Sequence, residues 1–145
     1  MGTRPNELRE LVGQTVNEIR LDNKKQSWIQ LMVGLQSLTI DTDGDCCSES
    51  WFADIISPQL LIGAPVTSAE EIPLPKQLKN SQYDNQSRTR QEEDRIYCIQ
   101  IETTKGVCDI IFRNSSNGYY GGWADYSWTI LDRAEYKVIT EDYST

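Results

Sequence analysis

The stretch IYCIQIETTKGVCDIIF, residues 96–112, decides the fold class of this chain. Apolar and polar side chains alternate in both halves of the stretch, on either side of a turn at Lys105-Gly106. The alternating apolar side chains are Tyr97, Ile99 and Ile101 in the first half and Cys108, Ile110 and Phe112 in the second. A period of two is typical of a strand with one buried face. The stretch therefore predicts an antiparallel hairpin in which these side chains share one face.

Two registers of this hairpin keep the apolar side chains together. A two-residue loop pairs Ile101 with Ile110, whereas a four-residue loop pairs Ile101 with Cys108. The two-residue register also sets Glu102 opposite Asp109, and a pair of like charges in that position is destabilising. We therefore expect the register of the longer loop.

The remaining segments predict a larger sheet with little helix. Pro5 to Val12 predicts a short helix that Gly13 stops, and Ser50 to Ile56 fits either a helical turn or a short strand. A polar stretch from about 73 to 93 predicts a long loop. Further strands are predicted at Val16 to Leu21, Trp28 to Val33, Leu38 to Thr42, Val66 to Ile72, Tyr119 to Leu131 and Tyr136 to Thr140, with a turn at Asn114 to Gly118. The predicted fold class is α+β: one domain, residues 1–145, built on a predominantly antiparallel β-sheet of about six or seven strands with a short N-terminal helix.

The composition excludes several classes of function. None of the 145 residues is histidine, so serine–histidine and cysteine–histidine catalysis and histidine-ligated zinc cannot come from this chain. The net charge is −8, and between Lys25 and Lys76 there are seven carboxylates without a lysine or arginine. Such a surface repels a phosphate backbone, so we expect no direct binding of duplex nucleic acid. No apolar run approaches the roughly 20 residues of a membrane span, and the N-terminus has no signal-peptide pattern; the expected location is cytoplasmic.

The four cysteines indicate reduced thiols rather than a metal site or a nucleophile. Cys46 and Cys47 are adjacent, and Cys98 and Cys108 do not form a CxxC pair, so the spacing does not fit zinc. The predicted hairpin also puts Cys98 and Cys108 on opposite faces, which argues against a disulfide between them. Carboxylates next to Cys46 and Cys47 raise a thiolate pKa rather than lower it. We expect no cofactor and no catalytic cysteine.

The spacing of the aspartates at 41, 43 and 45 resembles the start of a calcium-binding loop, but the rest of that pattern is absent. An EF-hand loop that begins at Asp41 needs glycine at position 46 and glutamate at position 52, where this chain has Cys46 and Phe52. A looser cation site that uses Asp41, Asp43, Asp45 and Glu49 stays open, and so does a solvated turn at the end of a strand. We predict no metal site.

The segment from Arg113 to Trp123 has the composition of a binding loop. Tyrosine and tryptophan give rigid contact area, and serine, asparagine and glycine give adaptable hydrogen bonds. An ordinary hairpin turn, with the aromatic side chains as cross-strand pairs, explains the same residues. The candidate ligand- or partner-binding residues are Cys46, Cys47, Trp51, Arg113, Asn117, Gly118, Tyr119, Tyr120 and Trp123.

The chain resembles a family of small domains of unknown function found in phages and bacterial genomes. The resemblance runs from about Leu11 to Tyr126 and rests on four motifs in order. These are an Asp-Cys-Cys motif (residues 45–47), a Leu-Ile-Gly-x-Pro motif (61–65), a Thr-x-Lys-Gly motif (103–106) and a Ser-Asn-Gly-Tyr-Tyr motif (116–120). In many members an acidic residue directly follows the two cysteines, whereas Ser48 stands there in this chain.

The resemblance implies a phage-linked setting but no particular reaction. Small acidic single domains in that setting often act by binding, either to block a host defence protein or to capture a small signal molecule. We therefore expect a non-catalytic binding domain, of the phage counter-defence type, that binds a host protein or sequesters a nucleotide-like signal; assembly into a homo-oligomer stays open. The alternative is a carboxylate-dependent hydrolase, for which Asp54, Glu102, Asp109 and Asp125 are available.

Overall fold

A computed structural model of the protein describes residues 5–44, 49–72, 93–116 and 122–144. These residues form one short α-helix and ten strands, with a 3-10 turn at Pro58–Leu60. The elements are α1 (Pro5–Arg9), β1 (Glu18–Asp22), β2 (Trp28–Val33), β3 (Gln36–Gly44), β4 (Glu49–Ile56), β5 (Val66–Ile72), β6 (Glu93–Thr103), β7 (Gly106–Ser116), β8 (Gly122–Thr129), β9 (Tyr136–Val138) and β10 (Tyr143–Ser144).

The strands form two antiparallel sheets of five strands each. The first sheet has the order β8-β3-β2-β1-β9, and the second has the order β10-β4-β7-β6-β5. Strand β4 lies beside β7 in the second sheet, and β3 lies beside β8 in the first. The chain therefore crosses between the sheets three times, from β3 to β4, from β7 to β8 and from β9 to β10.

The hydrophobic core lies between the inner faces of the two sheets. In the first sheet, one row of inward side chains runs through Leu21, Ile29, Ile40 and Tyr126. In the second sheet, a corresponding row runs through Ile55, Ile110 and Ile99. All of these residues belong to one buried cluster, as expected for two sheets that each bury one face.

The hairpin that defined the fold class has the expected register. Ile101 pairs with Cys108 and Ile99 pairs with Ile110. Pairing continues to Thr103 and Gly106, so the turn itself is shorter than the four residues that this register was expected to leave. The inner face also carries an aromatic stack, because the Tyr97 ring lies 4.8 Å from the Phe112 ring.

The prediction of a mostly antiparallel sheet with a short N-terminal helix is confirmed, but the strand count of six or seven was wrong. The segment at Ser50 to Ile56, which fitted either a helical turn or a strand, is strand β4, and the strand predicted at Tyr136 to Thr140 is present as the shorter β9. The two-residue β10 was not predicted. It exists because it pairs with β4, and no local pattern marks it. The predicted turn at Asn114 to Gly118 was also wrong at its start, because β7 continues to Ser116 between two partner strands.

Two further segments differ from the expectation in their bounds. The α-helix ends at Arg9, and the chain continues to Val12 through turns in which each amide bonds to the third carbonyl before it, the tighter geometry of a 3-10 helix. Gly13, with φ of +89°, then ends the segment as expected. The predicted loop at about 73 to 93 lies outside the described residues up to 92, while Glu93 is the first residue of β6.

Among the described residues, α1 is the one α-helix, and its five residues fall far short of the roughly 20 that a membrane-crossing helix needs.

Candidate binding site

Two of the four sequence motifs lie in segments that connect the two sheets. The Asp-Cys-Cys motif follows β3 and precedes β4, and the Ser-Asn-Gly-Tyr-Tyr motif joins β7 to β8. Gly44 at the end of β3 pairs with Gly122, and Glu49 at the start of β4 pairs with Ser115. The chain therefore enters and leaves both motifs at neighbouring positions. We call this end of the fold the motif end.

Most of the predicted binding residues themselves fall outside the described part of the chain. These residues are Cys46, Cys47, Asn117, Gly118, Tyr119 and Tyr120. The backbone of Trp123 is described and pairs with Asp43 in the first sheet. The strand pairing thus brings the ends of the two motif segments together, as a shared recognition surface requires.

The other two predicted binding residues, Trp51 and Arg113, lie directly opposite each other on β4 and β7. Their neighbours Phe52 and Phe112 also pair and belong to the core, so Trp51 and Arg113 occupy the outer face of the second sheet. Both are buried, and Arg113 is only 1% exposed. A guanidinium so far from water requires charge and hydrogen-bonding compensation.

Part of that compensation comes from Asp54, which lies in the next row of the same face. Asp54 is buried, and its burial raises the pKa of its carboxyl group; the side-chain hydrogen bond with Ser144 and the positive charge of Arg113 act in the opposite direction. Ser144 reaches this position because β10 pairs with β4 there. The outer face thus carries a buried carboxylate and a buried guanidinium that stabilise each other.

Asp109 continues the polar part of this face. Its carboxylate accepts a hydrogen bond of 3.0 Å from Gln100 Nε2 and one of 3.4 Å from Cys98 Sγ. Burial, together with the nearby Asp109 charge, raises the pKa of the Cys98 thiol, and burial likewise raises the pKa of Cys108 in the core. Both cysteines are free thiols and stay protonated at neutral pH, which is the opposite of what a nucleophile needs.

A polar cluster closes the core beneath the motif end. Asn114 is fully buried, and its Nδ2 donates a 2.9 Å hydrogen bond to Ser50 Oγ. The Thr42 hydroxyl shares its single proton between the carbonyl oxygens of Ser27 and Ser50, at 3.0 and 3.2 Å. These bonds tie β3 of the first sheet to β4 of the second, so the strands that carry the two motif segments are held together. Among the residues that the structure describes, the Asn114 Oδ1 atom has no hydrogen-bond partner.

The other two motifs, Leu-Ile-Gly-x-Pro and Thr-x-Lys-Gly, contact each other. Lys105 Nζ donates a 2.8 Å hydrogen bond to the Ile62 carbonyl, and the Thr104 amide donates one of 3.3 Å to the Pro65 carbonyl. Gly106 has a φ of +151°, and a Cβ atom there would lie 2.9 Å from Leu60 Cδ1. Since the backbone carbonyls of one motif take the donors of the other, these two motifs form a structural corner.

The structural corner and the motif end lie at opposite ends of β7. That strand runs from Gly106 to Ser116, 11 residues, which at about 3.3 Å per residue is roughly 33 Å. Hydrogen bonding between the two corner motifs explains why residues of those types stand there. The two motifs at the motif end have no such structural explanation, so the motif end is the candidate binding site.

One candidate ligand of the looser cation site, Asp41, is already bound to an arginine. The Asp41 carboxylate accepts two hydrogen bonds from the Arg133 guanidinium, at 2.6 and 3.0 Å. Asp45 lies outside the described residues. Within residues 5–44, 49–72, 93–116 and 122–144, no group of three or more carboxylate or cysteine side chains is placed to hold a metal ion.

Sequence reasoning missed two hydrogen-bonded arrangements. The buried Gln30 amide binds the Leu131 carbonyl and the Arg133 amide, about a hundred residues away. Tyr126 Oη donates a 2.6 Å hydrogen bond to Glu71 Oε2, which joins β8 of the first sheet to β5 of the second. A glutamine within an apolar strand is a weak signal for the first arrangement, and no sequence signal points to the second.

Comparison with known proteins places the chain in a family. A family model described as a domain of unknown function, DUF7448, matches residues 9–126, and the chain belongs to this family. The chain is also similar to a protein of Acanthamoeba polyphaga mimivirus named "Uncharacterized protein L278", with 33% identity over 93 residues, which is 59% of this chain and 64% of that protein. The similar region thus spans less than two thirds of the viral relative. No solved structure matches the chain.

Proposed function

We propose that the protein is a non-catalytic binding domain whose recognition surface is built at the motif end by the Asp-Cys-Cys and Ser-Asn-Gly-Tyr-Tyr motifs. The observation that supports the proposal is that two of the four motifs bind each other, whereas the other two lie side by side at the motif end. The two corner motifs satisfy each other's hydrogen bonds, whereas the other two enter and leave the fold side by side, where Gly44 pairs with Gly122 and Glu49 pairs with Ser115. Tyrosine, asparagine and glycine, which the Ser-Asn-Gly-Tyr-Tyr motif supplies, are residue types that are common in binding surfaces.

The chemistry of the described residues supports binding rather than turnover. Histidine is absent from the whole chain, and the described thiols have raised pKa values. The described thiols are therefore not activated nucleophiles, and the chain has no imidazole to act as a general base.

A viral counter-defence role is the biological setting that we propose for this binding. The mimivirus relative supports a link to viruses, and the earlier resemblance to phage domains agrees with it. In that setting the motif end binds either a host protein or a small nucleotide-like signal. The net charge of −8 favours a partner with a basic surface.

The test removes the two tyrosines of the Ser-Asn-Gly-Tyr-Tyr motif. Tyr119→Ala with Tyr120→Ala abolishes partner capture and leaves the thermal melt nearly unchanged. The matched control is Leu35→Ala with Ile130→Ala, which also truncates two large side chains; these are 96% and 78% exposed at the end of the first sheet opposite the motif end. Loss of the fold in the tyrosine variant, or equal loss of capture in the control, contradicts the proposal.

One observation favours a carboxylate-dependent hydrolase as a second candidate. Asp54 pairs with Ile111 across β4 and β7, so Asp109 is its diagonal neighbour on the same outer face. The backbones of such neighbours lie roughly 7–8 Å apart, so their side chains can reach the roughly 6.5–9.5 Å that separates the two carboxyl groups of an inverting glycosidase. The raised pKa of Asp54 suits a general acid. Turnover of a glycan or nucleotide that disappears in both Asp54→Asn and Asp109→Asn would support this candidate over binding.

A further inference from the structure

A preformed cavity of about 300 Å³, whose lining is part polar and part apolar, lies on the outer face of the first sheet, away from the motif end. Its lining residues are Thr39, Ser127, Thr129, Leu131, Asp132 and Arg133. The volume is at the lower limit of pockets that bind small molecules. The wall opposite the sheet is the segment that connects β8 to β9.

Gln30 holds this wall in place. Its Nε2 donates a hydrogen bond of 3.1 Å to the Leu131 carbonyl, and its Oε1 accepts one of 3.4 Å from the Arg133 amide. The same Nε2 also donates to Thr39 Oγ1 at 3.0 Å. Thr129 Oγ1 accepts a further bond from the Leu131 amide at 2.9 Å. The cavity therefore does not have to be assembled when a ligand arrives, which lowers the cost of binding.

The charges around the cavity disfavour an anionic ligand. The Arg133 guanidinium is bound through both of its terminal nitrogens to Asp41 and packs over the Trp28 ring. Asp41 in turn lies directly opposite Asp125 on β8. Arg133 is thus outnumbered by the carboxylates around it, including Asp132 in the wall, and phosphate would meet a negative potential.

The same lining also disfavours a cation or an apolar ligand. The Asp132 carboxylate is already 3.5 Å from Arg20 Nη1, and carboxylates are too few here for a metal site in the described part of the chain. Three of the six lining residues carry hydroxyl groups: Thr39, Ser127 and Thr129. Hydroxyl groups both donate and accept hydrogen bonds, so the lining complements a ligand with the same property.

We infer that this cavity binds a small uncharged polyhydroxylated ligand, a saccharide. The Ser127 and Thr129 hydroxyls bind ligand hydroxyl groups, and the Asp132 carboxylate accepts from them. The exposed Leu131 side chain at the rim packs against the C–H face of the sugar ring. This site is independent of the motif end and adds a second ligand to the proposed function.

The experiment titrates the full chain with a panel of neutral monosaccharides and disaccharides, followed by backbone amide NMR. Inorganic phosphate and spermidine serve as the anionic and cationic comparisons. We expect at least one saccharide to shift the amides of residues 127–133 with a dissociation constant in the millimolar range or below, on the order of −4 kcal/mol. Phosphate and spermidine leave those amides unchanged.

Variants separate this site from a non-specific effect and from the motif end. Ser127→Ala, an exposed position, weakens saccharide binding up to about tenfold through the loss of a hydrogen bond, whereas Thr67→Ala, an exposed hydroxyl on β5, has no effect. The Tyr119→Ala, Tyr120→Ala protein still binds the saccharide. The inference is overturned if no saccharide in the panel shifts these amides, if phosphate or spermidine does so instead, or if Ser127→Ala binds as tightly as the parent chain.

Discussion

Replacement of Gln30 by leucine tests whether a single buried amide fixes the wall of the saccharide cavity. Gln30 is fully buried and has four hydrogen-bond partners. The two protons of its Nε2 are shared among Ser37 Oγ, Thr39 Oγ1 and the Leu131 carbonyl, and its Oε1 accepts from the Arg133 amide. Leucine has a similar size but can form none of these bonds.

The expected cost follows from the number of bonds and from what is left behind. Each intramolecular hydrogen bond contributes about 0.5–1.5 kcal/mol, and a buried group left without a partner costs about 1–3 kcal/mol. The Ser37 and Thr39 hydroxyls lie 3.4 Å apart and can bond to each other, so they are not orphaned. We therefore expect a loss of about 2–4 kcal/mol. For a domain of this size that corresponds to a fall in Tm of roughly 7–13 °C.

Urea denaturation of the parent chain and the Gln30→Leu variant measures this loss directly. The matched control is Gln36→Leu, the same chemical change at an exposed position on β3. Hydrogen exchange at the Arg133 amide, which donates to Gln30 Oε1, should accelerate in Gln30→Leu more than exchange in β7 does. A loss below about 0.5 kcal/mol, the range of ordinary surface changes, would refute the reasoning, and so would an unchanged exchange rate at Arg133.

Three further predictions concern other parts of the fold. Burial raises the pKa of the Glu71 carboxyl group above its value in the unfolded chain, so the protonated group stabilises the fold at low pH and this stabilisation is lost as the pH rises. Glu71→Gln, which keeps an acceptor for Tyr126, should therefore stabilise the protein at pH 7 but not near pH 4. Equal changes in the free energy of unfolding at both pH values would contradict this. Cys98, whose thiol pKa is raised by burial, should resist alkylation at pH 8 until urea unfolds the chain, as peptide mass mapping would show. Gly106→Ala should lower the free energy of unfolding, measured by chemical denaturation, by about 1–3 kcal/mol, because φ is +151° and the new Cβ would lie 2.9 Å from Leu60 Cδ1. An unchanged free energy of unfolding would contradict this prediction.

The parts of the fold that were predictable are those fixed by local pattern. Because Ile99, Ile101, Cys108 and Ile110 alternate with polar residues, a shift by one residue would move them off the buried face. The register that avoids pairing Glu102 with Asp109 is the one observed. The helix stop at Gly13 likewise follows from a positive φ. Both the hairpin register and the end of the helical segment depend on residues within about one hairpin or one turn.

The parts that could not be predicted depend on contacts between distant segments. Ser144 is a strand residue only because it pairs with Asp54, and the two corner motifs satisfy each other across more than 40 positions of the chain. One sequence offers no signal for such pairs. The same reason explains the candidate site: Trp51 and Arg113 were named from composition and motif, but their direct pairing on a buried face comes only from the topology.

Native mass spectrometry of the protein purified from the cells in which it is naturally made tests the central claim most directly. The account predicts a partner or small molecule that remains bound in fixed stoichiometry, that is lost in the Tyr119→Ala, Tyr120→Ala protein and that the Leu35→Ala, Ile130→Ala protein retains. A protein that carries nothing, but consumes a glycan or nucleotide at a rate that Asp54→Asn abolishes without unfolding, would contradict the account.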